Sequence, residues 1–372
     1  MRTELGLLWW LMSSGAAWGA EPLVDELLPR VVKVMGLPMN REVTVKRVSR
    51  AEAEAILRRE VNVKAAARLG ETLEAVGLLP AGTKLETLAP DFNRQNVSGF
   101  YDLRAHTLFL VADQSDEAMR PIIAHELAHA VQDANADLLS RMRGSDDAVL
   151  AFTAVLEGQA QTTAALVMAG WLEDQHVVVE GMAGLLSDTT ARSAAEAADQ
   201  APVPWLGLQL RFPYVWGRAL IAASATPDDP VARGLLQRPP ASTAEVMTPC
   251  RTGAPLVADL QLTRLIPGSK ASVATTVGRA ALELLGEGLG EGWRGDRLES
   301  VHVGKKLVAV WSVAFATEAQ AITLAEVVKG ERDGAVVVVL VGTRNQAVKE
   351  RALRAFVNVR RSATTMRRRV MP

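Results

Sequence analysis

TLFLVADQSDEAMRPIIAHELAHAVQD, residues 107–133, joins a short apolar run to an acidic connection and then to a helical pattern. TLFLVA reads as a strand. The acids of DQSDE and Pro121 suit the start of a helix, where carboxylates meet the positive end of the dipole and a missing N–H costs little. In that helix residues four apart stack on one face, so His125 and His129 can present their imidazoles together, with Glu126 at the neighbouring edge. The fold is read outward from this strand, short loop and helix.

Two neutral imidazoles on one helix face form a metal-ligand pattern, and a carboxylate beside the metal can take a proton from water and return it to a leaving amine. With five histidines in the chain, an H-E-x-x-H spacing by coincidence is a poor explanation. A histidine at position 135 would make the metzincin arrangement, but residue 135 is Asn. The third ligand is expected to be Glu157, in the long apolar segment DDAVLAFTAVLEGQAQTTAALVMAG (146–170). A carboxylate in so apolar a helix is costly unless it meets a cation. Gly158 and Ala160 would let another helix or a metal approach closely. The alternative for Glu157 is an ion pair with Arg141 or Arg143. Asp133 is expected to orient a histidine, and Asp146 and Asp147 to cap the helix that carries Glu157.

His125, Glu126, His129 and the downstream Glu157 resemble the gluzincin type of zincin metallopeptidase, and TLFLVA resembles the edge strand of that fold. AVLEGQA, FPYVWGRAL, RPPASTAEVMTP and GWRGDRL are similar to stretches of a group of exported bacterial zincin-like proteins, over most of residues 22–330. The resemblance implies an α+β protein. Its zincin-like catalytic domain has a small sheet with an edge strand, the H-E-x-x-H helix and a mostly helical remainder, and a smaller α+β module follows. It also implies zinc held by His125, His129 and Glu157, with Glu126 as the catalytic base and then acid, acting on a zinc-activated water. A Tyr or His would stabilise the oxyanion, and of the two tyrosines Tyr214 is the candidate. Tyr101, by the edge strand, is a candidate for lining a groove in which an extended peptide adds to the sheet. Gln161 stands where an Asp supporting a histidine ligand is expected in the thermolysin pattern.

The rest of the chain sets the context. PLVDELLPRVVKVMGL has helical spacing, EVTVKRV alternates as a strand, and Ser49 with Glu52 has the form of a capping box. Another helix is expected at 63–77, then an alanine-rich one near 180–200. APVPWLGLQLRFPYVWG reads as an irregular loop entering a helix at 215–225, and QRPPASTAEVMTPCRTG as the seam between halves. Beyond it, the pattern predicts a helix at 275–287, the glycine-rich turn GEGLGEGWRGD, two strands, a helix, a strand and a final element. The RGD at Arg294–Asp296 is read as part of a structural turn rather than an adhesion signal. His106, His176 and His302 lack ligand spacing.

MRTELGLLWWLMSSGAAWGA reads as a secretory signal over 1–19, cut before Ala20. The domains are then expected at 20–250 for the metallopeptidase domain and 251–360 for the C-terminal α+β module, with a basic tail over 361–372. The sole cysteine, Cys250, cannot form an intrachain disulfide. A net charge of −1 gives no electrostatic case for nucleic acid, and no membrane anchor is expected. The reading is an exported, periplasmic or extracellular zinc metallopeptidase acting on a peptide or protein. A zinc hydrolase of another amide, such as a cell-wall peptide, and a non-catalytic zinc-containing scaffold are the alternatives.

Overall fold

The computed structural model describes residues 22–60, 62–94, 98–112, 115–177, 181–249, 255–256, 258–354 and 356. The signal segment, Cys250 and the basic tail lie outside them. Among the described residues no helix is long and apolar enough to cross a membrane.

The chain opens with α1 (Pro22–Met35), β1 (Thr44–Val48), α2 (Arg50–Glu60), α3 (Val63–Ala75) and α4 (Leu85–Arg94). The predicted capping box at α2 forms in both directions. Ser49 N–H donates to Glu52 Oε2 at 2.8 Å, and Glu52 N–H to Ser49 Oγ at 3.2 Å. Strands β2 (Gly99–Asp102) and β3 (Thr107–Val111) follow. Their sheet has the order β1-β3-β2, with β1 parallel and β2 antiparallel to β3. TLFLV is therefore the central strand, not an edge, and β1 and β2 are the two edges. All five β3 residues are buried, and a strand apolar on both faces needs cover on both. Phe100, Phe109 and Val111 pack with Ala53 of α2, while Tyr101, Leu108 and Leu110 join a core with α1 and the next long helices.

Those helices are α5 (Asp116–Asn135), the short α6 (Leu138–Arg141), α7 (Asp146–Asp174), α8 (Met182–Asp199) and α9 (Pro204–Ser224). Ser115 caps α5, and Pro121 falls in the second turn rather than the first. The expected loop before residue 215 is absent, because α9 is helical from Pro204 onward. Pro204 occupies the start of the helix, where no N–H is needed. Pro213 gives up one internal bond, and the burial of Trp205, Phe212, Leu220 and Ile221 outweighs that loss. The short helix α10 (Gly234–Gln237) leads into the expected seam, and a second one, α11 (Thr243–Met247), interrupts it.

After α12 (Leu262–Leu265) comes β4 (Lys270–Thr275), and the helix expected at 275–287 is reduced to the single turn α13 (Gly278–Leu282). β4 forms because it pairs antiparallel with β5 (Trp293–Val303), a long-range contact that local periodicity does not report. The sheet continues with β6 (Lys306–Phe315), and after α14 (Glu318–Val328) come β7 (Glu331–Asp333), β8 (Val336–Val341) and α15 (Gln346–Leu353). Its order is β4-β5-β6-β8-β7, with every pairing antiparallel. On β6, Ala309, Trp311, Val313 and Phe315 pack with Leu69 and Leu73 of α3 and Trp205 of α9. Val308, Val310 and Ala314 face Val348 and Ala352 of α15. One hydrophobic core thus runs from α3 and α4 to a sheet some two hundred residues later.

The RGD segment lies in β5 rather than a turn. Asp296 is fully buried and accepts N–H bonds from Val277, Gly278 and the indoles of Trp293 and Trp311, at 2.9–3.2 Å. A buried side chain so held is a structural anchor.

Ser145, not Asp146 or Asp147, caps α7. The two aspartates instead sit in its first turn, against the β4–α13 turn. Asp147 Oδ1 accepts from Thr243 N at 2.9 Å and Thr243 Oγ1 at 2.6 Å, while Asp146 Oδ2 is buried without a partner. Burial pushes both carboxyls up to about 7. A native value raised above the unfolded one leaves stability intact at low pH and erodes it as pH rises through the native value. Between pH 4.5 and 8, Asp147→Asn is therefore expected to lose less stability than the wild type, by about 3 kcal/mol. Denaturant melts at both pH values measure this, and an equal loss in both proteins would refute it. The amide oxygen can still accept from Thr243.

Candidate metal centre

The site lies where α5 crosses α7. Positions 124, 127, 128, 130 and 131 of α5 are fully buried apolar residues, which fixes the rotation of the helix and turns His125 and His129 toward Glu157. His125 Nε2 lies 3.1 Å from Glu157 Oε2, His129 Nε2 lies 3.6 Å from Glu157 Oε1, and the two Nε2 atoms are 3.1 Å apart. One ligand atom from each residue falls within a 4.8 Å cluster, the group of possible metal-holding side chains found among the described residues. A tetrahedral ion with ligands at ~2.1 Å sets their atoms ~3.4 Å apart, close to what is observed. Neither Arg141 nor Arg143 pairs with Glu157. Arg141 lies over the Phe152 ring and donates to the Gln237 carbonyl.

The side chains of His125, His129 and Glu157 are 14%, 6% and 3% exposed. In the metal-free chain the electrostatics reflect that burial. Burial alone would raise the Glu157 carboxyl, but the charge of His129 and hydrogen bonds from both imidazoles outweigh it and hold it far below the usual carboxylate range. For His129, burial works downward, yet the Glu157 charge and hydrogen bond bring the ring to about 9. A buried carboxylate here draws cationic character onto its neighbours, and the donor set of two imidazoles and one carboxylate is one that zinc accepts. The residues fit the ion.

Glu126 is buried beside the cluster, and its Oε2 accepts from the backbone N–H of Tyr101 at 2.9 Å. Burial raises its carboxyl, against the opposing charges of His129 and His125. The edge strand β2 thus holds one oxygen of Glu126. The Tyr101 ring itself lines no groove. It is buried and its hydroxyl donates to Asp133 Oδ2 at 3.1 Å.

Tyr214 comes to the site from α9. Its ring stacks on His125 with centroids 6.2 Å apart and planes 12° from parallel, and the Glu157 carboxylate is near enough for its charge to act on the hydroxyl. Burial and the charges of Glu157 and Glu126 raise the phenol well above its ordinary range, so it stays a proton donor. Two glycines make this approach possible. A Cβ on Gly158 would lie 2.4 Å from the Gly217 carbonyl oxygen, and one on Gly217 would lie 2.1 Å from the Ala154 carbonyl oxygen. The backbones of α7 and α9 touch one residue past Glu157 and three past Tyr214.

Other expectations shift. Asp133 does hold a histidine, but it is His106, at 2.8 Å, together with Arg41 at 2.6 Å. His129 Nδ1 instead meets Gln132 Oε1 at 2.8 Å. Gln161 donates to the Ser187 carbonyl and supports no ligand. Gln132 was missed at the sequence level although its spacing, three residues past His129, places it on the same helix face. His302 pairs with Glu71 at 3.0 Å.

Residues 47–176 match the model of the Putative metallopeptidase family (DUF6782). That stretch, 130 of the 372 residues, runs from β1 through α7 and contains His125, Glu126, His129 and Glu157. Tyr214 and the five-stranded sheet lie outside it. The match supports peptidase-like, metal-dependent chemistry at the level of the class. No curated protein and no solved structure matches the chain.

Proposed function

We propose that this protein is a zinc metallopeptidase that hydrolyses peptide bonds at the α5–α7 crossing, with His125, His129 and Glu157 as ligands. The observation that carries the reading is the convergence of two imidazoles and one carboxylate within 4.8 Å, with a buried carboxylate beside them. The family match over the same residues supports it. Bound zinc would supply Lewis acidity that acidifies water and polarises a carbonyl.

The chain's own groups do the rest. Tyr101 N–H fixes Glu126 Oε2, so Oε1 takes the proton from the attacking water. Its burial favours the protonated form, and it then returns the proton to the leaving nitrogen. The Tyr214 hydroxyl, carried by a ring stacked on His125, donates to the oxyanion that develops on the substrate carbonyl. The substrate lies along the outer edge of β2, where backbone groups used neither by β3 nor by Glu126 bind an extended chain. Export, directed by residues 1–19, would place that substrate outside the cytoplasm.

The test is zinc content and cleavage of a mixed peptide library by the wild type and His125→Ala. About one zinc per chain with cleavage, both lost in the variant, is the expected result. A folded wild type that binds no zinc would overturn the reading, and zinc without cleavage of any peptide would favour the scaffold alternative.

A further inference from the structure

Behind the ligand cluster runs a chain of buried amides. Gln132 of α5 and Gln159 of α7 are both fully buried. Gln159 Nε2 donates to the Ala232 carbonyl at 3.1 Å. Gln132 Nε2 donates to the Leu156 carbonyl and to Gln159 Oε1, each at 3.0 Å, and Gln132 Oε1 faces His129 Nδ1. A primary amide has one end that only donates and one that only accepts. Turning Gln159 over would set its oxygen against the Ala232 carbonyl, and turning Gln132 over would set its oxygen against the Leu156 carbonyl. Two backbone carbonyls, neither able to donate, therefore orient both amides. Gln132 presents an oxygen to His129, so Nδ1 carries the proton, and Nε2 of the neutral ring keeps its lone pair. Nε2 lies 3.1 Å from His125 Nε2 and 3.6 Å from Glu157 Oε1; it carries a proton toward that carboxylate when the metal-free ring is charged and offers its lone pair there when the ring is neutral.

The anchor is itself constrained. Ala232 lies between α9 and α10 with φ +49°, a left-handed conformation unusual for a residue with a side chain. Its N–H donates to the Asp229 carbonyl at 3.2 Å, and the next N–H, of Arg233, to Asp229 Oδ1 at 3.0 Å. A turn roughly a hundred residues beyond His129 thus reaches its imidazole through two amides.

We propose that Gln159 and Gln132 form an amide relay, anchored on the Ala232 carbonyl, that holds His129 as the Nδ1–H tautomer and so presents Nε2 to the metal. The proposal rests on the metal-site reading above. Both are positioning residues, since neither lies in the ligand cluster. The relay is neutral, so it orients the ligand without adding a third negative charge to a site that already holds Glu126 and Glu157.

The experiment compares the full chain with Gln132→Met, Gln159→Met and the double variant through two readouts. In metal-free, ¹⁵N-histidine-labelled protein held at a pH above about 9, where the His129 ring is neutral, long-range ¹⁵N–¹H correlations identify its protonated nitrogen. Nδ1 is expected in the wild type and a mixture of tautomers in each variant. Zn²⁺ affinity, measured by competition with a chromophoric chelator, is expected to weaken roughly 10–100-fold in Gln132→Met. It should also weaken in Gln159→Met, although that side chain touches no ligand. The double variant should be no weaker than Gln132→Met, since the relay is already cut. A purely structural role for Gln159 would lower the melting temperature and leave tautomer and affinity unchanged, which overturns the proposal. If a Met variant fails to fold, Gln132→Asn and Gln159→Asn, each one methylene too short, replace them. A wild type that binds no Zn²⁺ yet shows an Nδ1–H dependent on both amides would sink the metal reading and leave the relay standing. Tight Zn²⁺ binding with both readouts indifferent to Gln159 would do the reverse.

Discussion

Glu126→Gln is expected to lower kcat for peptide hydrolysis by roughly 10³-fold while the protein keeps its zinc. The substituted amide oxygen can still accept the Tyr101 N–H that Glu126 Oε2 holds at 2.9 Å, so the side chain stays in place. Its nitrogen then stands where the second carboxylate oxygen was, and an amide nitrogen cannot take a proton from water. The three ligand side chains are untouched. Stability should move the other way. Burial raises the Glu126 carboxyl, and a group whose native value is raised loses its stabilising contribution as pH rises through that value. Above it the native state holds a buried charge, which Gln lacks. The metal-free variant should therefore melt a few degrees higher than the wild type at pH 8. Stopped-flow or fixed-time cleavage and metal analysis on the zinc-loaded proteins, with thermal melts on the metal-free ones, give all three quantities. Wild-type turnover in the variant would remove Glu126 from the mechanism, and loss of zinc would make it a ligand instead.

Gly217→Ala is expected to destabilise the protein by about 3 kcal/mol and to lower turnover as well. The added carbon would lie 2.1 Å from the Ala154 carbonyl oxygen, a backbone atom within a buried helix that no rotamer change can relieve. The helices must separate, and Tyr214, one turn earlier on α9, moves off His125 and Glu157. Gly170→Ala on the same α7 is the control. A Cβ there meets nothing within 4 Å, so the change should stabilise by about 0.5–1 kcal/mol through the helix preference for alanine. Denaturant melts of both variants decide the matter. A Gly217→Ala protein as stable as the wild type would mean that α7 and α9 do not touch as described.

How far the site could be read from the sequence depended on the range of the interactions. His125, Glu126 and His129 lie within two turns of one helix, so their relative placement follows from helical geometry alone. Glu157 was reached by a different argument, the cost of a carboxylate amid DDAVLAFTAVLEGQAQ, and that argument names a residue needing a partner without naming the partner. Tyr214 was singled out because only two tyrosines exist, while its surroundings were misread. Their mixture of proline, glycine and aromatics suggested a loop, and the packing of Phe212, Leu220 and the Gly158–Gly217 contact makes that segment helical. Gln132 went unnoticed because an amide on a helix face carries no charge whose burial demands explanation.

The sequence by itself determined the elements whose signals are local. These are the Ser49–Glu52 box, the acid-rich start of α5, the apolar length of α7, and the alternation that sends Phe109 and Leu110 to opposite faces of a sheet. Only the tertiary structure decided which strands are the edges, that β4 is a strand at all, and that one core joins α3 to the five-stranded sheet. It alone decided which groups stand behind His129. Those outcomes depend on pairings between residues tens to hundreds of positions apart, and such pairings leave no period in the chain. They are selected by the close-packed interior, where a missing Cβ or a backbone carbonyl in the right place decides between alternatives that local propensity leaves nearly equal.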